Sequence, residues 1–443
     1  MSETATTIAC AGCGWRPAPD EPYPFRCANA GRGDDTDHVL AVTLDPARVR
    51  FPTGDEPNPF IRYRELFYAY HLARTHGMSD ADYVALVERL DRAVAAADGR
   101  GFVVTPFARS AVLSDRLGLA EGGVWVKDET GNVSGSHKGR HLMGILIHLE
   151  VVERIGLVRR DGRDLAIASC GNAALAAAVV ARAGDRALRV FVPTWADPAI
   201  LDALKRLGAQ LVVTPRPAGV AGDPTYHALR QAVADGALPF TCQGTDNGLT
   251  IDGGKTLGYE MISVLREEGV ALDRLFIQVG GGALASAVIQ AFEDGVGLGT
   301  VERMPRIHAI QTEGGHPLRR AFIRVRERTQ AGASAAEALR YAVTHRSEFM
   351  WPWETEPKSI ATGILDDETY DWAAVVRGML TTEGYPLVVS EEMLADANRL
   401  AREMTGINVD PTGSTGLAGL LHLWRGGLDA GERVAVLFTG VQR

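Results

Sequence analysis

The sequence predicts an α/β protein with two parallel-sheet domains, and three observations carry that reading. Between Asp164 and Thr241, short aliphatic runs of strand length alternate with longer runs of helical spacing, the pattern of βαβ units. The alternation starts again after Gly253 and ends in an apolar run from Arg433 to Phe438. Glycine-bearing junctions fall where a strand would hand over to a helix, at Ser169-Cys170-Gly171-Asn172 and at Val279-Gly280-Gly281-Gly282-Ala283-Leu284. A length of 443 residues supports two or three folding units at about 100 to 200 residues each.

The elements follow in chain order. Residues 1–50 are rich in Gly, Pro and Asp, lack apolar periodicity, and read as a small appended module. Cys10-x2-Cys13 and Cys27 are three soft ligands there, and His38 would complete a tetrahedral zinc site; the other reading is three unrelated thiols. A Cys3His site is closed, so its metal would be structural. From Glu65 to Ala97, apolar residues at helical spacing predict two helices broken near Gly77-Met78-Ser79. Strands are predicted at Leu165 to Ser169, Leu188 to Pro193, Gln210 to Thr214 and Leu238 to Thr241. The helices between them are Ala173 to Ala183, Pro198 to Leu207 and Tyr226 to Asp235. A second series holds helices Gly254 to Glu268 and Leu284 to Asp294, with strands Arg274 to Val279 and Arg306 to Gln311. The two sheets would face each other across a cleft.

Composition narrows the function. A net charge of −9 gives no basic field for nucleic acid or for an anionic membrane. No apolar run reaches the roughly 18 residues that span a bilayer, and no secretory signal pattern opens the chain. Five cysteines, an odd number, fit a reducing compartment better than a disulfide framework, so a cytoplasmic protein is expected.

The chemistry-bearing residues are few. The chain holds five lysines against 41 arginines, and one of the five, Lys138, ends the turn Ser134-Gly135-Ser136-His137. Arginine replaces lysine as a surface cation, but its guanidinium stays protonated and forms no Schiff base with an aldehyde. Lys138 is therefore either a solvated cation or a residue kept for carbonyl chemistry. The junction Val279 to Leu284 would aim backbone N–H groups and a positive helix end at one spot, as a phosphate cradle does, or it is a tight βα turn that needs glycine. It is not the G-x-G-x-x-G of a dinucleotide fold. A P-loop reading of Gly253-Gly254-Lys255-Thr256 fails because Leu249 stands where glycine is required. Ser169 to Asn172 would present a side-chain amide and backbone donors at the end of a strand. Thr439, at the end of the last strand, would add a hydroxyl. Glu313-Gly314-Gly315-His316 reads as a loop rather than a substrate entrance, Asp366-Asp367-Glu368 as a solvated helix start, and Asp410 to Gly416 as a helix cap.

A Schiff-base lysine, a phosphate cradle, an amide turn and a terminal hydroxyl together describe a site for pyridoxal phosphate. The chain resembles the fold-type II pyridoxal-phosphate enzymes, and among them the threonine synthase group. The matching stretches run in family order from Thr105-Pro106-Phe107, through Lys127-Asp128-Glu129, Gly135 to Lys138 and Ser169 to Asn172, to Gly254-Lys255-Thr256. Val279 to Leu284, Ser359-Ile360-Ala361 and Leu437 to Gly440 complete the series. The resemblance implies a Cys-rich module at 1–50, parts of a large domain at 51–135 and 246–443, and a small domain at 136–245.

The likeness also implies roles. Lys138 would hold the cofactor and then take the Cα proton of the substrate. Asn172 would bind the cofactor's phenolic oxygen; Gly280, Gly281, Gly282 and Ala283 its phosphate; and Thr439 its pyridine nitrogen. Ser169, Cys170, Gly171 and Asn172 would receive the substrate carboxylate. His137 gives the Gly-Ser-His-Lys seen in tryptophan synthase β subunits, where the histidine lies near the phosphate. Threonine synthases commonly carry an arginine in an Asn-Pro-x-Arg segment where this chain reads Asn247-Gly248-Leu249-Thr250, and the triple glycine looks more like serine/threonine dehydratases. Three functions follow: a threonine synthase-like lyase acting on a small amino acid, an ammonia-lyase releasing a 2-oxo acid, or a non-catalytic protein binding pyridoxal phosphate or zinc. The family also implies a homodimer.

Overall fold

A computed structural model describes residues 5–31, 33–216, 222–355 and 357–443. Its strands are β1 (Thr6–Cys10), β2 (Leu40–Leu44), β3 (Phe107–Ser110), β4 (Gly123–Asp128), β5 (Leu165–Ala168) and β6 (Leu188–Pro193). They continue with β7 (Gln210–Thr214), β8 (Leu238–Pro239), β9 (Arg274–Gln278), β10 (Arg306–Thr312), β11 (Leu387–Val389) and β12 (Arg433–Phe438). The chain divides by contacts into two compact units, the first from 1–32, 38–104 and 132–256, the second from 33–37, 105–131 and 257–443.

In the first unit, β7-β6-β5-β8 form a four-stranded, wholly parallel sheet. Aliphatic runs make these strands because their β-branched side chains pack on a pleated surface. The connecting helices start where the sequence says they should. Asp197 and Asp223 each accept the N–H two residues on, and Pro198 and Pro224 follow as first helical residues with φ already set. The helix Asp80–Asp98 is capped by Ser79 and stops at Gly99, whose φ of 82° is left-handed. β1 and β2 pair antiparallel, with Cys10 opposite Leu40. The segment around them is packed into this unit: Phe25 O accepts from Gly248 N at 2.9 Å, and a Cβ on Gly248 would lie 2.4 Å from Leu40 O.

The second unit holds a six-stranded sheet in the order β11-β10-β9-β12-β4-β3, parallel except for the edge strand β3. Its two central strands, β9 and β12, are almost wholly buried, as strands covered on both faces must be. Phe276, Val434 and Val436 pack with Leu417 and Leu420 of the helix Thr415–Trp424. Gly416 lets that helix approach, since a Cβ there would lie 2.8 Å from Phe276 O. Among the described residues no helix is long and apolar enough to cross a membrane.

Candidate active site and metal centre

Lys138 is the first residue of the 17-residue helix Lys138–Arg154 and is half-buried. The turn before it is unusual. Ser134 and Gly135 are both left-handed, at φ 56° and 65°, and Ser134 is held there by donating its N–H to Asp98 Oδ2 at 2.9 Å. A side chain at Gly139 would crowd the Phe102 ring at 3.2 Å and Val133 O at 3.3 Å, so the residue after the lysine has no room to grow. His137 is buried, with its ring 5.7 Å from that of His141 and edge-on to it. His141 Nδ1 in turn lies 2.8 Å from Thr250 O.

β5 ends at Ala168, and Ser169 to Gly171 lead into the helix Asn172–Ala183, all four residues of the turn half-buried. Its first-turn N–H groups are those a helix leaves without internal partners. Burial, helped by the Asp223 charge, pushes the Cys170 thiol up to about 11, so it is no thiolate nucleophile at neutral pH. Thr250 is fully buried near the start of the helix Leu249–Glu268, and its Oγ1 has no hydrogen-bond partner. Lys255 is as deeply buried and pairs with Asp252 at 2.9 Å, one turn back on the same helix. It is a structural cation.

In the second unit, β9 runs through Val279 into Gly280, Gly281 and Gly282, and the helix Ala283–Gly297 follows. The glycines are demanded by packing. A Cβ on Gly280 would sit 2.4 Å from Asp366 Oδ2 and 2.7 Å from Ile364 Cα, one on Gly281 3.0 Å from Tyr370, and one on Gly282 2.9 Å from Thr369. Gly282 is also left-handed at φ 96°. The same segment takes the loop's carbonyls: Thr369 Oγ1 donates to Gly280 O at 2.9 Å, and Asp371 N to Gly281 O at 2.9 Å. Because N–H and C=O of a trans peptide point opposite ways, the N–H groups of Gly281 and Gly282 face away from that segment. Two N–H groups at a helix N-terminus suit a phosphate, so the loop fits the cradle role. Asp366 to Glu368 are therefore not the solvated helix start expected from sequence. They are half-buried on the cradle and on Arg346, in a stretch that holds no α-helix before Trp372.

Thr439 follows β12 and is buried. Its Oγ1 accepts from Gln278 Nε2 at 2.6 Å. The sequence reading missed Gln278. A polar residue ending the otherwise apolar stretch of β9 was the available signal. It also set aside the Asp410 to Gly416 turn, whose Gly413 O takes a hydrogen bond from the same Gln278 amide.

The cysteine module gathers as the spacing suggested. The ligand atoms of Cys10, Cys13, Cys27 and His38 all lie within 4.8 Å of one another. Cys10 Sγ is 3.5 Å from His38 Nδ1, and Cys13 Sγ is 3.6 Å from Cys27 Sγ. Zinc bonds of about 2.3 Å to sulfur and about 2.0 Å to nitrogen set tetrahedral edges of about 3.5 to 3.8 Å. Asn29 donates its N–H to Cys27 Sγ and its amide to Cys13 Sγ, each at 3.4 Å. Burial pushes Cys10 up to about 12 and raises Cys27. Cys13 feels the same burial, but Asn29, the Trp15 backbone and the neighbouring sulfurs bring it down to about 6.

A family model described as pyridoxal-phosphate dependent enzyme matches residues 100–440. The chain belongs to the pyridoxal-phosphate-dependent enzymes. Among its curated relatives, threonine synthase of Methanocaldococcus jannaschii is 24% identical over 428 residues, covering 94% of this chain and 91% of its own. Threonine synthase of Bacillus sp. (strain ULM1) is 26% identical, covering 76% of this chain and 82% of its own. Solved structures of pyridoxal-phosphate enzymes share the fold. The processed form of threonine deaminase isoform 2 from Solanum lycopersicum superimposes with a TM-score of 0.58 at 17% identity, over 82% of this chain and 91% of its own. Diaminopropionate ammonia lyase of Escherichia coli does so at 0.59 and 16%, over 81% and 88%. The fold is thus the fold-type II architecture that the motif order pointed to.

Proposed function

We propose that this pyridoxal-phosphate enzyme is a threonine synthase-like lyase, converting O-phosphohomoserine and water to threonine and phosphate. The observation that carries this reading is the reach of the likeness: the match to the Methanocaldococcus jannaschii threonine synthase covers 94% of the chain, beyond the 100–440 of the family model. When bound, pyridoxal phosphate supplies an electron sink that makes a Cα–H bond of an amino acid acidic. Lys138 would hold the cofactor by its ε-amine and serve as the base that takes the substrate's Cα proton. Asn172 orients the phenolic oxygen, Thr439 meets the ring nitrogen, and the N–H groups of Gly280 to Ala283, with His137, take the phosphate. Ser169 to Asn172 receive the substrate carboxylate on the first-turn N–H groups of their helix. The cysteine module holds a structural zinc, a closed four-ligand site with no position for substrate.

A second reading, a serine/threonine ammonia-lyase, rests on Thr250. At that buried position there is no cation to bind a leaving phosphate by charge-assisted hydrogen bonds. The cofactor-loaded protein, offered O-phospho-L-homoserine, L-threonine and L-serine separately, decides between them. Inorganic phosphate with threonine is expected; 2-oxo acid from threonine or serine without phosphate release would replace the first reading with the second. Silence on all three would overturn both.

A further inference from the structure

Gly248 stands where the threonine synthase resemblance carries proline, and its surroundings show what the glycine serves. Its N–H donates to Phe25 O at 2.9 Å, which a proline could not do, and a Cβ there would lie 2.4 Å from Leu40 O and 2.9 Å from Leu40 Cβ. Both partners belong to the cysteine module. Phe25 comes two residues before Cys27 and Leu40 two after His38, and all four are buried. The module also touches a second helix. Pro22 O accepts from His148 Nε2 at 2.9 Å, and the Phe25 ring meets that imidazole edge-on at 6.0 Å. His148 lies on the helix that begins with Lys138. The two helices are in backbone contact with each other. A Cβ on Gly253 would lie 2.4 Å from Arg140 O, and one on Gly144 2.6 Å from Gly253 Cα, so glycine on both sides lets them cross closely. Just before that crossing, Thr250 O lies 2.8 Å from His141 Nδ1.

We propose that Phe25 and Gly248 are positioning residues through which the metal-bound cysteine module holds residues 247–250 against the Lys138 helix, so that the state of a structural metal is felt at the cofactor lysine. The proposal rests on the roles given to Lys138 and to the module under Proposed function. A module of residues 1–50 with two short strands has little apolar core, and units so small lean on metals for their fold. A metal on Cys10, Cys13, Cys27 and His38 ties the stretch that carries Phe25 to the stretch that carries Leu40. Once it leaves, both stretches loosen, the Gly248 N–H loses its acceptor, and the start of the helix Leu249–Glu268 is no longer clamped to its neighbour. The metal itself takes no part in the chemistry.

The test strips the metal from the full chain with a strong chelator and follows amide hydrogen exchange by mass spectrometry, with no substrate present. Protection of residues 247–253 is expected to fall about tenfold together with that of the module and to return on adding zinc, while β10 in the other unit keeps its protection. Pyridoxal phosphate should also leave the stripped protein about tenfold faster. In Gly248→Ala the new Cβ drives Leu40 away, so both losses are expected with one equivalent of zinc still bound, and stripping that metal adds nothing further. A metal that only folds its own module would expose the module and leave 247–253 protected. That result, a wild-type chain with no metal to strip, unchanged cofactor release from the stripped wild type, or a Gly248→Ala protein as protected as the wild type overturns the proposal. The first three need no variant to fold. Failure of the wild-type protein to take up the cofactor overturns both this inference and the function it rests on, whereas uptake without phosphate or oxo-acid release sinks the reaction alone.

Discussion

Lys138→Arg isolates one property of one residue. The guanidinium keeps the charge and most of the length at the first position of the helix, yet stays protonated, so it neither holds the cofactor nor accepts a proton. Turnover is expected to fall by at least about 10³-fold, the scale lost with an essential base or nucleophile. Borohydride should fix the cofactor's mass to the wild type and not to the variant, and cofactor fixed to Lys138→Arg would show that another lysine does this work. Gly280→Ala tests the cradle. Its Cβ meets Ile364 Cα at 2.7 Å, a backbone atom that cannot swing aside, so about 1 to 3 kcal/mol of stability should go along with cofactor affinity. Chemical denaturation and cofactor titration check the two losses; an alanine variant as stable and as tightly loaded as wild type would show that the Ile364 to Asp371 segment yields. Cys170 was legible as part of the turn, but its reactivity could not be read from its neighbours in sequence. Burial, which keeps its thiol protonated, is a property of the fold.

At the scale of elements, the parallel strands were legible because each is a short aliphatic run followed by an amphipathic one. β6, β7 and β12 begin and end where that pattern does. β3 and β4 were not, since β4 ends in Lys127-Asp128 and charges argue against burial. Lys127 is nonetheless fully buried, paired with Glu260 and bonded to Thr105 O at 2.7 Å, contacts that only the sheet assembles. The segment over the cradle was misread for the same reason, three acidic residues in a row being a solvated pattern unless a partner such as Arg346 waits elsewhere. The cysteine module is the reverse case. Spacing singled out the four residues that gather, whereas the β1–β2 pairing that brings Cys10 level with Leu40, close to His38, involves distant stretches of chain. If zinc organises this element, the purified chain carries a single equivalent by metal analysis, and strong chelation lowers the melting temperature by several degrees. Cys13→Ser should lose the metal while Cys242→Ser keeps it. A metal-free chain with an unchanged melting temperature would leave three thiols and no site.

Over the whole molecule, stability should depend on pH through two buried histidines, one in each compact unit. His148 gives its Nε2 proton to Pro22 O at 2.9 Å, and burial holds its pKa down to about 4. His308 lies in β10, stacked on Phe276, with Nε2 3.2 Å from Arg274 Nη1. A guanidinium only donates, so Nε2 carries no proton and Nδ1–H faces Tyr385 O. Burial first, then the Arg274 charge, brings this group to about 4 as well. Both folded values lie below the ordinary histidine value of about 6.5, so the unfolded chain binds more protons in the interval between. The stabilisation from keeping them neutral is complete above about pH 6.5 and is lost as pH falls toward 4, on the order of 3 kcal/mol for each histidine. Urea unfolding followed from pH 7.5 to 4.5 should show midpoints that fall steadily below pH 6.5. Replacing His148 or His308 with Gln, which holds an amide in place of a titrating ring, should flatten the slope by about one proton per substitution. Unaltered slopes in both variants would show that neither histidine carries the acid sensitivity. Asp80 is held below its usual range by the Arg64 hydrogen bond, and Asp273 is held there against its own burial by the Arg433 N–H and by Arg303. Those groups lose their contribution at lower pH, below the usual carboxylate value of about 4, so the two sources separate along the pH axis.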